Sequence, residues 1–150
     1  MLKNSRTSLS VVILLFITLT FTACKKTTTT DTTNLLEQYF DVNILGQIFI
    51  INLATDNGTD LTPNYNGYTF KLIKTNYYNG PLEVKYGTNT YTGTWSANSD
   101  YSKLTISLPS TPSILIWLTR EWRFTSKNVP QLELAPWGST DPLVLHILRQ

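Results

Sequence analysis

The sequence predicts an all-β fold, an antiparallel up-and-down barrel of about eight strands, with a β-sandwich as the alternative. Residues 82–86, 91–96 and 104–108 alternate between apolar and polar side chains, which is typical of strands with one buried and one wet face. Short connections rich in Asn, Gly and Asp follow these segments at even spacing. Because an open sheet of this length would expose two edges, we expect it to close into a barrel or pack as a sandwich.

The domain is expected to begin with a short helix and an apolar strand. Residues 35–43 have apolar side chains near helical spacing, which predicts a short N-terminal helix over one barrel end or one sheet edge. Residues 47–54 are apolar and β-branched and are followed by the turn residues Asp56, Asn57 and Gly58, which predicts the first strand.

Three turns are expected to join the next four strands into a meander. Asn79-Gly80 lies between residues 68–78 and 82–86, and Asn-Gly favours a tight hairpin because both positions accept positive φ. Residues 87–89, Gly-Thr-Asn, and residues 98–100, Asn-Ser-Asp, make the next two connections.

The last part of the chain predicts three more strands and one ambiguous segment. Residues 114–118 lack alternation, so they are either a fully buried strand or a helical turn. The strands are expected at residues 121–125, with Trp122 and Phe124 on one face, at residues 131–134 and at residues 143–148.

The first residues of the chain have the three parts of an export signal. Lys3 and Arg6 supply the basic part, residues 8–21 the apolar part, and Thr22-Ala23 the small residues before Cys24. We therefore expect residues 1–23 to be a signal peptide that is cleaved before Cys24. The alternatives are ordinary secretion and an uncleaved spanning helix, for which residues 7–23 are marginal because a span needs about 20 apolar residues.

Residues 24–34 are predicted to be a lipidated cysteine and a threonine-rich tether. The segment after Cys24 reads KKTTTTDTTN and contains no apolar side chain that could pack on a core. Residues 35–150 are then a single β-barrel domain, a length that suffices to bury a core.

The charge of the expected mature chain excludes several classes of function. The whole chain has 12 Lys and Arg against 10 Asp and Glu, and removing Lys3 and Arg6 with the signal leaves 10 of each. A side-chain charge near zero without a basic face does not fit a nucleic-acid binder, so no nucleic-acid partner is expected. Acylation of Cys24, the only cysteine, leaves no thiol for disulfides, metal sites or catalysis.

The residues that catalysis needs are scarce, and we predict that the protein is not an enzyme. His146 is the only histidine, and its place between Val144 and Leu148 predicts a core or rim side chain. The sequence has no Gly-x-Ser-x-Gly motif, no pairing of carboxylates and no cluster of metal ligands. No catalytic residue, cofactor or metal is therefore predicted.

Residues 21–24, Phe-Thr-Ala-Cys, resemble the lipobox of bacterial lipoproteins. The resemblance implies that the Cys24 thiol carries a diacylglycerol and that its amine usually carries a third acyl chain, such as palmitate. Lys25 stands where some lipoproteins have the Asp that retains them at the inner membrane. The resemblance thus implies a lipid anchor in the outer membrane of a Gram-negative bacterium.

Most of residues 49–148 resemble the small lipocalin-like lipoproteins, which have calycin-type barrels. The residues that carry this resemblance are DNGTDLTPNYNGYTFKL at 56–72, a hairpin, YTGTW at 91–95, a strand with alternating leucines and a strand with a tryptophan. The resemblance implies an up-and-down barrel that holds a small apolar molecule and has no enzyme activity.

The aromatic residues suggest where such a ligand would bind. The predicted lining residues are Phe70, Tyr91, Trp95, Trp122 and Phe124, since an eight-stranded barrel can hold one small ligand. One alternative is that the tryptophans simply fill the core. Another is an interaction module of an outer-membrane complex, with a filled barrel or sandwich, that presents loop aromatics to a protein or glycan. Those aromatics are Tyr65, Tyr68, Tyr77, Tyr78 and Trp137.

Overall fold

Nine strands, one α-helix and two 3₁₀ helices make up residues 32–150, the part of the chain that this computed structural model describes. The helix α1 is Thr32–Asn43, and the 3₁₀ helices are Thr62–Tyr65 and Ser113–Leu118. The strands are β1 (Ile48–Asp56), β2 (Thr59–Asp60), β3 (Tyr68–Leu72), β4 (Asn79–Tyr86), β5 (Asn89–Ala97), β6 (Lys103–Ser107), β7 (Arg120–Ser126), β8 (Gln131–Pro136) and β9 (Leu143–Arg149).

The strands form a closed antiparallel barrel, which confirms the predicted fold class. Strands β1 and β3 to β9 are neighbours in chain order, and β2 forms only a two-residue hairpin with β1. Strand β1 also pairs with β9, from Phe49 opposite Arg149 to Asp56 opposite Leu143. Because this last pairing removes both sheet edges, the fold is a barrel rather than the alternative sandwich.

The inward face of the barrel is apolar in the described residues apart from Arg120 of β7. In β3, for example, Tyr68, Phe70 and Leu72 are buried while the side chains between them are half-buried. No polar or charged residue of the described part is classed as buried. Each fully buried large apolar side chain contributes about 1.5–3 kcal/mol to the free energy of unfolding, so this interior is the main source of stability.

His146 lies on the outer face of the barrel, so the predicted core or rim position is wrong. Its neighbours Leu145 and Ile147 are the buried residues of β9. The His146 ring is half-buried, with Nδ1 3.4 Å from Nε2 of Gln131 in the neighbouring strand. The inward face of β9 is therefore the set of odd-numbered residues, whereas the sequence interpretation had placed His146 with the even-numbered apolar residues.

The hairpin predicted at Asn79-Gly80 is also wrong. Both residues belong to β4, and residues 73–78 make the turn from β3. A Cβ added to Gly80 would lie 1.9 Å from the carbonyl oxygen of Ile73. Glycine is needed here because the turn packs directly on the strand, not because a tight turn needs positive φ.

Two predicted segments have clear outcomes. Helix α1 begins at Thr32, so it includes the last three residues of the predicted tether. The ambiguous segment 114–118 is a helical turn, the second 3₁₀ helix.

Cys24 and the predicted signal peptide lie outside the described residues. Within residues 32–150, no helix is long and apolar enough to cross a membrane.

Helix α1 covers one end of the barrel, which we call the helix end. Phe40 and Ile44 are fully buried. The Phe40 ring stacks on Tyr101, with ring centroids 3.9 Å apart, and meets Phe124 edge-on at 5.6 Å. The loops at residues 98–102 and 127–130 lie at this end, and the 3₁₀ helices lie at the other.

Candidate functional site

A small cavity of about 30 Å³ lies in the barrel interior. Its lining is entirely apolar and consists of Ile51, Phe70, Leu72, Leu82, Leu104, Ile106, Leu108, Leu118, Leu134, Leu145 and Ile147. Small-molecule pockets usually measure about 300–1,000 Å³, so this space is roughly tenfold too small for such a ligand. In the described conformation, side chains fill the barrel.

The five predicted lining residues do not meet around a single cavity. Phe70 alone lines the internal cavity. Trp95 and Trp122 are buried, and their indole N–H groups donate to the carbonyl oxygens of Ile73 and Leu118 at 2.8 and 3.0 Å. These two rings are fixed parts of the core.

The other two predicted lining residues, Tyr91 and Phe124, are both half-buried and lie in different parts of the barrel. Tyr91 pairs with Val84 in the β4–β5 ladder, towards the end that carries the 3₁₀ helices. Phe124 packs against Phe40 at the helix end.

An open groove of about 430 Å³ lies where β4, β5 and the turn after β3 meet. It is lined by Thr75, Asn79, Gly80, Pro81, Thr94, Trp95 and Ser96. None of these side chains is charged, and Trp95 is almost fully buried. The groove has space for a ligand, and its lining offers hydroxyl and amide groups but no charge.

The opposite end of the barrel carries a run of aromatic rings, which we call the aromatic end. The aromatic end consists of five ring-bearing residues and the arginine beside them: Tyr65, Tyr68, Tyr86, Trp117, Trp122 and Arg120. Ring centroids are 4.4 Å apart for Tyr86 and Tyr68, 6.4 Å for Tyr68 and Tyr65, 6.3 Å for Tyr65 and Trp117, and 5.4 Å for Trp117 and Trp122. The run extends from an exposed tyrosine to a fully buried tryptophan.

The two 3₁₀ helices place the middle of this run. Tyr65 is the last residue of the first 3₁₀ helix. Its hydroxyl donates a hydrogen bond to the carbonyl oxygen of Ile114 in the second 3₁₀ helix, at 3.1 Å. Burial raises the pKa of Tyr65. The indole N–H of Trp117 donates to Oδ2 of Asp56 at 3.1 Å, and Asn57 donates to the other carboxylate oxygen at 2.7 Å.

Tyr86 is the exposed part of the aromatic end, with 46% of its surface accessible. Its ring stacks on Tyr68, which is buried. Burial raises the pKa of Tyr68, and the neighbouring Tyr91 and Tyr86 hydroxyls raise it further. Gly67 has φ of 82°, and a Cβ there would lie 3.3 Å from the Tyr86 ring, so the turn before β3 is shaped to the stack.

Arg120 is the charged residue of the aromatic end, and the sequence interpretation did not single it out. Its guanidinium carbon lies 5.4 Å from the ring centroids of both Trp117 and Trp122. Its Nε is the one buried side-chain nitrogen or oxygen in the described part that has no hydrogen-bond partner. The sequence did contain a signal for this residue. Arg120 continues the alternation of Trp122 and Phe124, which predicts that it points inward.

The loop aromatics of the alternative interaction module are spread over the molecule. Tyr65 and Tyr68 belong to the aromatic end and are buried. Tyr77 and Tyr78 lie in the turn at the helix end, where Tyr78 donates a hydrogen bond to Glu37 of α1. Trp137 is exposed after β8, with Nζ of Lys103 5.5 Å from its ring centroid.

Comparisons with known proteins add no relationship to this geometry. No protein-family model matches the chain, and neither a curated protein nor a solved structure matches it. Among the described residues, no three His, Cys, Asp or Glu side chains lie close enough together to hold a metal ion. The aromatic end is therefore the candidate site on its own chemistry.

Proposed function

We propose that the protein is a lipid-anchored, non-enzymatic envelope module that binds a protein partner through its aromatic end. The observation that supports this best is the contrast between an apolar interior cavity of only about 30 Å³ and an end that carries tyrosine, tryptophan and arginine together. These three residue types are the ones enriched where protein interfaces gain most of their binding free energy.

The lipid anchor follows from the resemblance of residues 21–24 to a lipobox. Cys24 would carry the acyl chains, in the outer membrane of a Gram-negative bacterium. The chain enters the described domain through α1, which covers the end of the barrel opposite the aromatic end. Replacing Cys24 with Ser should move the protein from the membrane to the soluble fraction, and membrane retention of that variant would contradict the anchor.

The partner is best tested by photo-crosslinking in the membrane-bound, full-length chain. A photoreactive phenylalanine at position 86 should give a discrete protein adduct, and Trp117→Ala should remove it. The same label at Tyr77, which is 38% exposed but lies at the helix end, is the matched control and should give no such adduct. Equal adducts from both positions would contradict a site at the aromatic end.

A small apolar ligand inside the barrel is the second candidate, because the cavity lining is wholly apolar. Such a ligand would require the interior to expand about tenfold to reach the usual pocket size. Apolar probes should then change the tryptophan fluorescence saturably, since Trp122 and Trp95 border the same core. No response across a panel of lipids and apolar probes would count against this second function.

A further inference from the structure

We infer that Arg120 is a carboxylate-binding residue, and that what the aromatic end recognises carries a carboxylate group. The inference rests on the proposed function, because it names the chemistry that the same surface would recognise. It starts from the state of the Arg120 side chain, which is half-buried and has no acidic partner.

The cation is held without the counter-charge that a buried guanidinium normally has. The ion pairs among the described residues join Lys74 to Asp41, Lys85 to Glu83, and Lys103 to Glu121, and none includes Arg120. Two indole faces flank the guanidinium, and such contacts contribute about 0.5–2 kcal/mol. The indole faces stabilise part of the positive charge, but they accept no hydrogen bond from the Nε–H group.

The acidic residue that contacts Trp117 is Asp56, and both of its carboxylate oxygens already accept hydrogen bonds. Asp56 accepts hydrogen bonds from Trp117 on one oxygen and from Asn57 on the other. These bonds fix the Trp117 ring beside Arg120 and direct the carboxylate of Asp56 to neutral donors. The structure therefore orients the Trp117 ring while leaving Nε of Arg120 without an acceptor.

The geometry favours a planar, singly charged acceptor. A guanidinium presents parallel N–H donors that match the two oxygens of a carboxylate. Of the six residues of the aromatic end, Arg120 is the only cation. Its single positive charge balances an acceptor with one negative charge, but not one with two. Of the two flanking rings, Trp122 is fully buried and Trp117 is half-buried, so an acceptor would approach along the Trp117 side.

The experiment uses the full-length, ¹⁵N-labelled chain in detergent micelles and follows the Arg120 Nε–H resonance by NMR. The probes are sodium benzoate, its uncharged analogue benzamide, and inorganic phosphate, all at constant ionic strength. Benzoate should shift the Arg120 resonance saturably, while benzamide and phosphate should leave it unchanged. The resonance is assigned by its loss in Arg120→Lys.

Trp117 supplies a second readout that a merely structural arginine would not move. Benzoate should also shift the Trp117 indole N–H in the native chain and should bind about tenfold more weakly or worse in Arg120→Lys, which keeps the charge but lacks the planar fork. Arg123→Lys is the matched control, because Arg123 lies on the same strand but is exposed on the outer face, and binding should be unchanged.

Several outcomes would overturn the inference. These are no saturable shift with benzoate, equal shifts with benzamide, binding of phosphate alone, or equal affinity in Arg120→Lys. A chain that still forms the crosslinked adduct from position 86 but does not bind benzoate keeps the proposed function and loses this inference. A chain that binds benzoate but forms no adduct keeps the carboxylate site at Arg120 and loses the proposed function.

Discussion

The two ends of the barrel are both closed by aromatic rings, yet they differ in how their polar groups are satisfied. At the helix end, three tyrosine hydroxyls donate to internal acceptors: Tyr39 to Lys127, Tyr78 to Glu37, and Tyr101 to the carbonyl oxygen of Tyr77 at 2.7 Å. At the aromatic end, Nε of Arg120 is buried without a partner. A closure that serves stability alone has no need of such a group, so the difference separates a structural end from a candidate site.

The largest expected effect is at the helix end. Phe40→Ala should lower the free energy of unfolding by about 3–5 kcal/mol, because it removes a fully buried ring from the Tyr101 and Phe124 contacts. Urea unfolding followed by circular dichroism measures the change. Val42→Ala on the same helix is the control, since Val42 is 69% exposed and should change stability by less than about 0.5 kcal/mol. Similar losses from both variants would show that α1 does not close the barrel.

Glycines at the two ends allow a second, smaller comparison. Gly80→Ala should cost about 1–3 kcal/mol or more, because its Cβ would meet the backbone of Ile73 at the helix end. Gly87→Ala, in the turn near the aromatic end, meets no atom within 4 Å and bears only the strain of φ at 57°, of order 1 kcal/mol. The midpoints of urea unfolding, compared at an unchanged urea dependence of the free energy, show which variant loses more stability. A larger loss for Gly87→Ala than for Gly80→Ala would contradict the close packing of the 73–78 turn.

One hydroxyl at each end can be removed without changing ring packing. Tyr101→Phe and Tyr65→Phe should each lower the free energy of unfolding by about 0.5–1.5 kcal/mol, because each leaves a carbonyl oxygen without its donor. Thermal unfolding of both variants at the same pH measures this. A cost near zero at either end would mean that the hydrogen bond there does not stabilise the closure.

Arg120→Met should leave stability almost unchanged or raise it slightly. The variant loses cation–π attraction of about 0.5–2 kcal/mol, and it also removes an unsatisfied buried N–H that costs about 1–3 kcal/mol. Its apolar stem can still pack between the two indole rings. A destabilisation above about 2 kcal/mol in urea would show that Arg120 serves the fold rather than a ligand.

The smallest effect concerns two exposed carboxylates, Asp60 at the end of β2 and Asp100 in the turn between β5 and β6. Hydrogen bonds from Thr62 hold the pKa of Asp60 below its ordinary value of 3.8, and hydrogen bonds from Ser102 do the same for Asp100. Because the folded pKa is the lower one, their stabilisation is present above pH 3.8 and is lost as the pH falls through the folded pKa.

Asp60→Asn and Asp100→Asn should therefore be less stable than the native chain at neutral pH, and the difference should disappear as the pH falls through the lowered folded pKa. Urea unfolding of the three proteins at a neutral and an acidic pH gives the comparison. A stability difference that stays constant on acidification would contradict the hydrogen-bonded carboxylates.

The parts of the fold that the sequence predicted are those with a local cause. The meander of β3 to β6 follows from alternation, and the turns at residues 87–89 and 98–100 lie where Asn, Gly and Asp predicted them. Gly80 was misread because its reason is a carbonyl oxygen that comes close only in the folded barrel. His146 was misplaced because both faces of β9 carry apolar residues, so alternation alone could not select the inward one.

The candidate site was less predictable than the fold. Tyr65 and Tyr68 were singled out as loop aromatics, but their neighbours Trp117 and Arg120 come from residues about 50 positions later, joined through the two 3₁₀ helices. Sequence spacing carries no information on such a contact, because it depends on how two loops pack at one end of a closed sheet.

The sequence by itself determined an all-β barrel with an apolar interior, since period-two alternation and turn residues act over a few positions. The tertiary structure decided that side chains fill this interior, because filling depends on how rings from every strand meet across about 30 Å³ of remaining space. It also decided that Arg120 lies between two indole rings with a buried N–H lacking an acceptor, since three distant segments must meet before that environment exists.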